Sequence, residues 1–466
     1  MKLWNKIIDG GKIVYRFLGI EVYKTLKSSS NESHFLLKIE FLKKKISPEK
    51  TEYYILGIPL YAKKDDSFHK IHSQEFLNYI LNQQLDKSKF VPITDKPYKR
   101  HEDDVKLIAY YLPQYYHFPI NDEWHGKGFT EWTNVTKAQP QFVGHEQPKL
   151  PIDVGFYNLE TTTAMKRQIE LAKMYGIYGW CFYYYWFSGE RVMEKPVLNF
   201  LNDKSLDMPF CLFWANENWT RNWGEKDSNL KTKLYDANIQ DGDSEKFMRD
   251  ALPLMKDSRY IKINNKPVLI IYKIHSDNKE QLKQFIAQIR AIARKNGFND
   301  LYLMNVRDYK SSTDSVSDCG FDALVEFPPV GITRFELKTA DVKIMNPLFC
   351  SKVWDMRRLL TEDFYIDNID FPIFRGCFPS WDNASRKGYS GGSHANVYQT
   401  TPDLYKKWLK NLILWTKEHK NKEEQFVFIN AWNEWAEGAH LEPDHRYGYA
   451  YLQATKEAVT ENGDGK

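Results

Sequence analysis

From residue 105 onward, short unbroken apolar stretches alternate with longer segments in which apolar residues recur every three or four positions. The short stretches predict strands at KLIAYYL (106–112), YGWCFYYYW (178–186), FCLFWA (210–215), PVLIIYK (267–273), LYLMNV (301–306), ALVEF (323–327), FPIFRGC (371–377) and QFVFINAW (425–432). Between them, residues 161–176, 279–297 and 401–420 carry a helical period with start and stop signals such as the Thr-rich opening and closing Gly of TTTAMKRQIELAKMYG. Strands that read as continuous apolar runs are buried on both faces, and parallel ones need crossover helices. Eight such units over residues 105–458 predict an α/β fold, a (β/α)8 TIM-like barrel serving as the catalytic domain. An open doubly wound sheet is the rival, but no GxGxxG follows the first strand.

The first hundred residues have a different texture. Tyr15-Arg-Phe-Leu-Gly-Ile-Glu-Val-Tyr-Lys24 and Tyr53-Tyr-Ile-Leu-Gly-Ile-Pro-Leu-Tyr61 resemble each other, each an aromatic-apolar stretch about Leu-Gly-Ile. Two copies do not make a solenoid. Between them, HFLLKIEFLKKKISPEK mixes Phe and Leu with Lys43-Lys44-Lys45. That pattern suits a segment lying on an anionic membrane surface, and equally a small solvated docking subdomain. Residues 1–98 are therefore expected to form a basic N-terminal accessory segment.

Charge sharpens this division. The net charge is +4, too small for a grip on a polyphosphate, so nucleic acid is not an expected partner. Residues 1–70 hold 14 Lys and Arg against 8 Asp and Glu, which confines the basic character to the N-terminus. Aromatic residues reach 15%, with 14 Trp and 29 Tyr, beyond what packing alone asks for, and planar faces with one polar tip suit stacking on sugar rings. The five cysteines form no CxxC pair and read as reduced core residues. Charges break every apolar run in the first 25 residues, so neither a secretory signal nor a spanning helix is expected, and a cytoplasmic location follows, with peripheral contact at the inner membrane surface through the N-terminal segment.

In a barrel of this type the active site gathers where strands end. Polar and aromatic clusters do follow the strand candidates. Glu434 and Glu437, three positions apart after the last strand, are the first candidates for catalysis, because glycosidic-bond chemistry needs one carboxyl to deliver a proton and another to remove one. With a second carboxylate close by and the indole faces of Trp432 and Trp435 beside them, one is expected to keep its proton near neutrality. The alternative is a turn-capping Glu434 and a solvated Glu437. In WANENWTRNW, assigned to substrate binding, Asn216, Asn218 and Arg221 offer hydrogen bonds while Trp214, Trp219 and Trp223 offer stacking faces; Glu217 is the alternative carboxylate, and its pairing with Arg221 on a loop is the structural alternative. Glu131 and Trp132 lie on a long loop after the first strand that serves as a lid or subsite wall, or as a loop held by its own aromatics. Trp381, Asp382, Asn383 and Arg386 read as a sugar-contacting cluster or as an ordinary helix start. Tyr110, Gln114, Tyr183, Asn433 and Trp435 complete the expected substrate-binding set. Only alternate residues of Tyr183-Tyr184-Tyr185-Trp186 can face inward. His117, His125 and His145 lack HxH or HExxH spacing, so neither a catalytic metal nor a cofactor is expected.

The stretches LIAYYLPQYYHFPINDEWHGKGFTEWTNV, FWANENWTR and NAWNEWAEGAHLEP together resemble the bacterial WbsX-like glycosyltransferase group, found with surface polysaccharide assembly, whose barrel is similar to glycoside hydrolase family 99, the endo-alpha-mannosidase-like hydrolases. The resemblance spans about residues 105–455. It implies a barrel acting on glycosidic bonds, with the motif Asn433-Glu434-Trp435-Ala436-Glu437-Gly438 carrying both catalytic carboxylates. Carried over, Glu434 takes the proton of the substrate 2-hydroxyl, which attacks the anomeric carbon. Glu437 protonates the leaving oxygen and later activates the acceptor. The hydrolase motif has His where Ala436 stands, so a hydrogen bond is expected to be missing here. The resulting expectation is retaining transfer of sugars in O-antigen or capsule synthesis, on an oligosaccharide or polysaccharide substrate. Its rivals are an endo-acting glycoside hydrolase using the same residues and a non-catalytic carbohydrate-binding protein.

Overall fold

In the computed structural model, the residues described are 87–461 apart from 221–232, 276–277, 309–311, 333–338, 347–348, 350, 358–368 and 388–395, together with positions 78 and 82 and the backbone of seven strands between Trp4 and Lys64. Those strands, β1 (Trp4–Asp9), β2 (Lys12–Phe17), β3 (Ile20–Lys27), β4 (Asn31–Leu36), β5 (Ile39–Ile46), β6 (Lys50–Ile55) and β7 (Ile58–Lys64), form an antiparallel meander, each paired with the next. The similar stretches at Tyr15 and Tyr53 are hairpins, β2–β3 and β6–β7. A third hairpin, β4–β5, lies between them, and in the sequence Leu37-Lys38-Ile39 falls midway between the two Leu-Gly-Ile triplets. The segment containing Lys43-Lys44-Lys45 is thus strand, in β5.

Eight parallel strands close the barrel: β8 (Lys106–Tyr111), β9 (Ile177–Phe187), β10 (Phe210–Trp214), β11 (Lys266–Ile271), β12 (Tyr302–Val306), β13 (Ala323–Val325), β14 (Ile373–Cys377) and β15 (Phe426–Ile429). They pair in sequence order, and β15 pairs β8 to shut the ring. All eight predicted strands are present. The helices are α1 (Pro119–His125), α2 (Glu131–Thr136), α3 (Thr163–Met174), α4 (Lys195–Asn202), α5 (Asp243–Met255), α6 (Lys279–Lys295), α7 (Thr313–Asp318), α8 (Ala384–Lys387), α9 (Pro402–His419) and α10 (Ala450–Thr460). Helix α9 shows why its sequence folds locally. The Thr401 hydroxyl accepts from Leu404 N, Pro402 opens the helix with a φ already suited to it, and Tyr405, Trp408, Leu409, Leu412 and Ile413 make one buried stripe.

The barrel and its helices share one large core. Strand alternation sorts the aromatics: on β9, Tyr184 and Trp186 pack outward against Phe247 of α5, whereas Tyr183 and Tyr185 point into the barrel. Residues 87–98, assigned from sequence to the accessory segment, are tied to the barrel. Val91 exchanges backbone hydrogen bonds with Tyr447 and Tyr449, Thr94 N donates to the Tyr175 hydroxyl, and Tyr98 N donates to Met174 O. Cys181, Cys211, Cys319 and Cys377 are buried free thiols, and Cys350 lies outside the described residues. Among the described residues, no helix is long and apolar enough to cross a membrane.

Candidate active site

The chain leaving β15 makes a tight, largely buried structure that turns two carboxylates toward the cavity. Trp432 N donates to Tyr110 O, Asn433 and Glu434 pair with His440 and Ala439, and Trp435–Glu437 form one 3-10 turn. Gly438 closes the turn at φ 63°, where a side chain's Cβ would lie 3.0 Å from Asp382 N, so glycine is required twice over. Side-chain hydrogen bonds hold the turn from behind. Asn433 clasps the end of β8, accepting from Leu112 N at 2.7 Å and donating to Leu112 O at 3.0 Å. The Tyr115 hydroxyl accepts from Trp435 N. The indoles of Trp432 and Trp435 both donate to Glu442, which also takes hydrogen bonds from Tyr157 and Gln168.

Glu434 and Glu437 open onto a cavity of about 330 Å³ at the strand ends. Arg386, from α8, joins them: one terminal nitrogen donates to Glu437 at 2.6 Å, and the other to Glu434 at 2.8 Å and to Glu131 of α2 at 3.3 Å. Three carboxylates thus share one guanidinium. Burial holds the Glu434 carboxyl well above the usual carboxylate range; Arg386 draws it down, while Glu437 and Glu131 push it up. Burial opposes the charge on Arg386, and the three carboxylates overcome it and keep the guanidinium protonated. Part of this corrects the sequence expectation. The proton on one Glu is favoured by burial and by neighbouring carboxylates, whereas the indoles of Trp432 and Trp435 turn away to Glu442.

Of the expected binding residues, Gln114, Glu131, Tyr183, Glu217, Trp219 and Trp381 line the cavity with the two glutamates. The Gln114 amide nitrogen is buried without a hydrogen-bond partner, as a donor awaiting a ligand would be. Glu217 is paired with Lys273, and Arg221 lies outside the described residues. The others are held elsewhere. Trp214 faces the helices, its ring against Phe247 and Phe285 and its indole donating to Trp186 O, because its neighbours on β10 take the inward positions. Asn216 clasps the backbone of Lys273. Asp382 is buried and receives His145, Gln147 and the Ala384 amide, an anchor for α8. Trp132 is buried on the inner face of α2, donating to Tyr157 O, and Trp435 stacks on His440 at 3.7 Å. Tyr110 is fully buried in the barrel interior among Tyr183, Phe213 and Phe327. Asn433 is the clasp already described. Ala436, where the hydrolases have His, offers its carbonyl to Ser385 of α8, next to Arg386.

Sequence reasoning named Arg386 only as one of a cluster, and gave Tyr272, Phe213, Phe327 and Glu442 no role. The position of Glu442, five residues past Glu437 in the same motif, was its only sequence signal.

A closed (β/α)8 barrel with a carboxylate cluster in a cavity at its strand ends is the class that the fold and site define. The chain belongs to the glycosyltransferase WbsX family, whose sequence pattern matches residues 107–455. It is 39% identical over 358 residues to the uncharacterized protein WxcX of Xanthomonas campestris pv. campestris strain B100, and equally so to that of strain ATCC 33913, in each case over 77% of this chain and 50% of the relative. The chain thus spans about half the length of these curated relatives. Among solved structures it is similar to a glycoside hydrolase-like protein (13% identity, TM-score 0.47, 80% of this chain and 98% of the other). It is also similar to the GH99 endo-alpha-mannosidase from Bacteroides thetaiotaomicron (11% identity, TM-score 0.47, 78% and 98%).

Proposed function

We propose that the chain catalyses retaining glycosyl transfer, with Glu434 and Glu437 as the reacting pair, in the assembly of a bacterial surface polysaccharide. The supporting observation is the placement of both carboxylates in one cavity, bridged by a single buried guanidinium. Burial favours the protonated form of Glu434 in the empty cavity. The reaction starts from the form with Glu434 ionised beside Arg386 and Glu437 protonated. Glu434 then removes the proton of the sugar 2-hydroxyl, O2 attacks C1, the bond to the leaving oxygen breaks, and that oxygen takes the Glu437 proton. In the second half an acceptor hydroxyl, its proton taken by Glu437, opens the 1,2-anhydro ring at C1. O2 recovers its proton from Glu434, and two inversions leave the configuration retained. With water as acceptor the same steps give hydrolysis, and analysis of products formed with and without an added acceptor sugar separates the two.

The test is Glu437→Gln. Turnover of a glycan or activated donor falls about a hundredfold or more while sugar binding persists, and NMR of early products shows retained configuration. Unchanged turnover, or inverted products, removes this mechanism. The basic N-terminal segment is proposed to hold the enzyme at the inner face of the membrane, supported by the charge excess in residues 1–70.

A further inference from the structure

A buried histidine is tied to the element that carries Arg386. Asp382 follows Trp381, which lines the cavity, and precedes Arg386 of α8 by four positions. Its Oδ1 accepts from Ala384 N, the first residue of α8, at 3.0 Å. Its Oδ2 accepts from Nε2 of His145 at 2.7 Å and from Nε2 of Gln147 at 2.6 Å. Gln141 N donates to His145 Nδ1 at 3.0 Å, so Nδ1 is an acceptor and the ring proton sits on Nε2, against the carboxylate. The imidazole is fully buried and stacks on Phe142 at 4.3 Å. Phe142 belongs to a separate apolar cluster with Phe349, Val353 and Val397, and the His145–Asp382 bond therefore ties α8 to packing outside the barrel core.

Arg386 meets three carboxylates at once, at 2.6, 2.8 and 3.3 Å. Such an arrangement works only when its groups are held to within about 0.5 Å by a supporting layer of packing and hydrogen bonds. On its own side α8 is held by Ser385, whose hydroxyl donates to Ala436 O. We infer that His145, acting through Asp382, is a positioning residue for Arg386. This rests on the reading of Glu434 and Glu437 as the reacting pair, and names what keeps their shared cation in place. The groups whose charge acts on Glu434 are Arg386 of α8, Glu437 of the turn and Glu131 of α2, with the phenols of Tyr115, Tyr183 and Tyr185 around it. Among them Arg386 supplies the positive charge, so an α8 that has lost its tie to His145 lets the Glu434 carboxyl hold its proton to higher pH.

Carbon-detected NMR of the full chain labelled with glutamate carrying carbon-13 at its carboxyl tests this, by following with pH the resonance that disappears in Glu434→Gln. His145→Phe keeps a ring against Phe142 and deletes both nitrogens. Its Glu434 midpoint is expected about 0.5 unit above that of the parent, a part of what a close opposite charge contributes. His145→Gln, which keeps a donor for Asp382, is expected to bring the midpoint back towards the parent value. Placed on Arg386→Gln, His145→Phe is expected to add no further shift, because the charge that it positions is gone. Gln147→Met removes the other donor to the same oxygen and is expected to shift the midpoint in the same direction; it decides the question if His145→Phe does not fold. A midpoint unmoved in the folded variant, or a full further shift on the Arg386→Gln background, gives His145 a structural role alone and overturns the inference. These titrations involve no substrate, so that result leaves the transfer reaction standing. Full turnover by Glu437→Gln would remove the transfer reaction and leave the tie between His145 and Arg386 in place.

Discussion

Arg386 and Glu434, 48 positions apart in the sequence, meet at 2.8 Å in a site where neither side chain is more than 13% exposed. The same guanidinium reaches Glu437 and Glu131, so one cation offsets three carboxylates. An opposite charge this close lowers a carboxyl's pKa by about 1 to 3 units.

Removing that charge in Arg386→Gln is therefore expected to raise the Glu434 pKa further, since the remaining neighbours, Glu437 and Glu131, both push it up. The base then forms only at higher pH. The acidic limb of the kcat/KM profile shifts upward by about 1 unit or more, and Arg386→Lys, which keeps a point charge without the fork, gives a smaller shift. A pH profile identical to that of the parent would show that Arg386 does not set the ionisation of the pair.

Glu442 is pushed up to about 7 by burial, against the hydrogen bonds from Gln168, Trp435, Tyr157 and Trp432. Its folded pKa lies above the unfolded value, so its protonated form is favoured in the folded state. The associated stability is fully present below about pH 4.5 and is lost as pH rises towards 7, by roughly 3 kcal/mol at most. Glu442→Gln removes this titration and is expected to flatten the decline relative to the parent in denaturant unfolding between pH 4.5 and 7. It also sets an amide N–H against a donor, at a cost of about 1 to 3 kcal/mol. Turnover falls as well, because Trp435 loses its anchor beside Glu434. An unaltered pH dependence of stability would contradict this account of Glu442.

Trp214 and Trp219 stand five positions apart and serve different ends. Trp214→Ala empties a site between β10, α5 and α6 and is expected to destabilise the fold by about 3 to 5 kcal/mol with KM unchanged in the folded fraction. Trp219→Ala, at the cavity wall against Tyr185 and Trp124, is expected to raise KM with a smaller loss of stability. Thermal unfolding beside steady-state kinetics distinguishes them, and a KM effect confined to Trp214→Ala would reverse the assignment.

For the N-terminal meander, Lys43→Glu, Lys44→Glu and Lys45→Glu together reverse the charge of three neighbouring positions in β5. Sedimentation of the full chain with phosphatidylserine-containing vesicles at low salt is expected to fall steeply, by about 1 kcal/mol per lysine removed. Equal sedimentation of both proteins would end the membrane-surface reading.

What the sequence determined by itself was the eight barrel strands, the three longest helical segments and where to look for a candidate site. Eight apolar runs bounded by turn residues are long enough for strands, the three predicted helical segments between them carry apolar stripes, with a side-chain cap on α9, and the motif after the last strand puts two carboxylates where such barrels gather their chemistry. The tertiary structure alone decided which side chains share the cavity. A period of two assigns Phe213 and Trp214 to opposite faces without saying which face is inside. Closure of the ring settled that, and moved Trp214, Asn216 and Asp382 from the expected site into packing and clasps. The link from Arg386 to Glu434, Glu437 and Glu131 joins α8, the last strand's turn and α2. No local pattern encodes it, because the charges that set one another's ionisation are brought within hydrogen-bond distance only when three separate loops converge over the same end of the barrel.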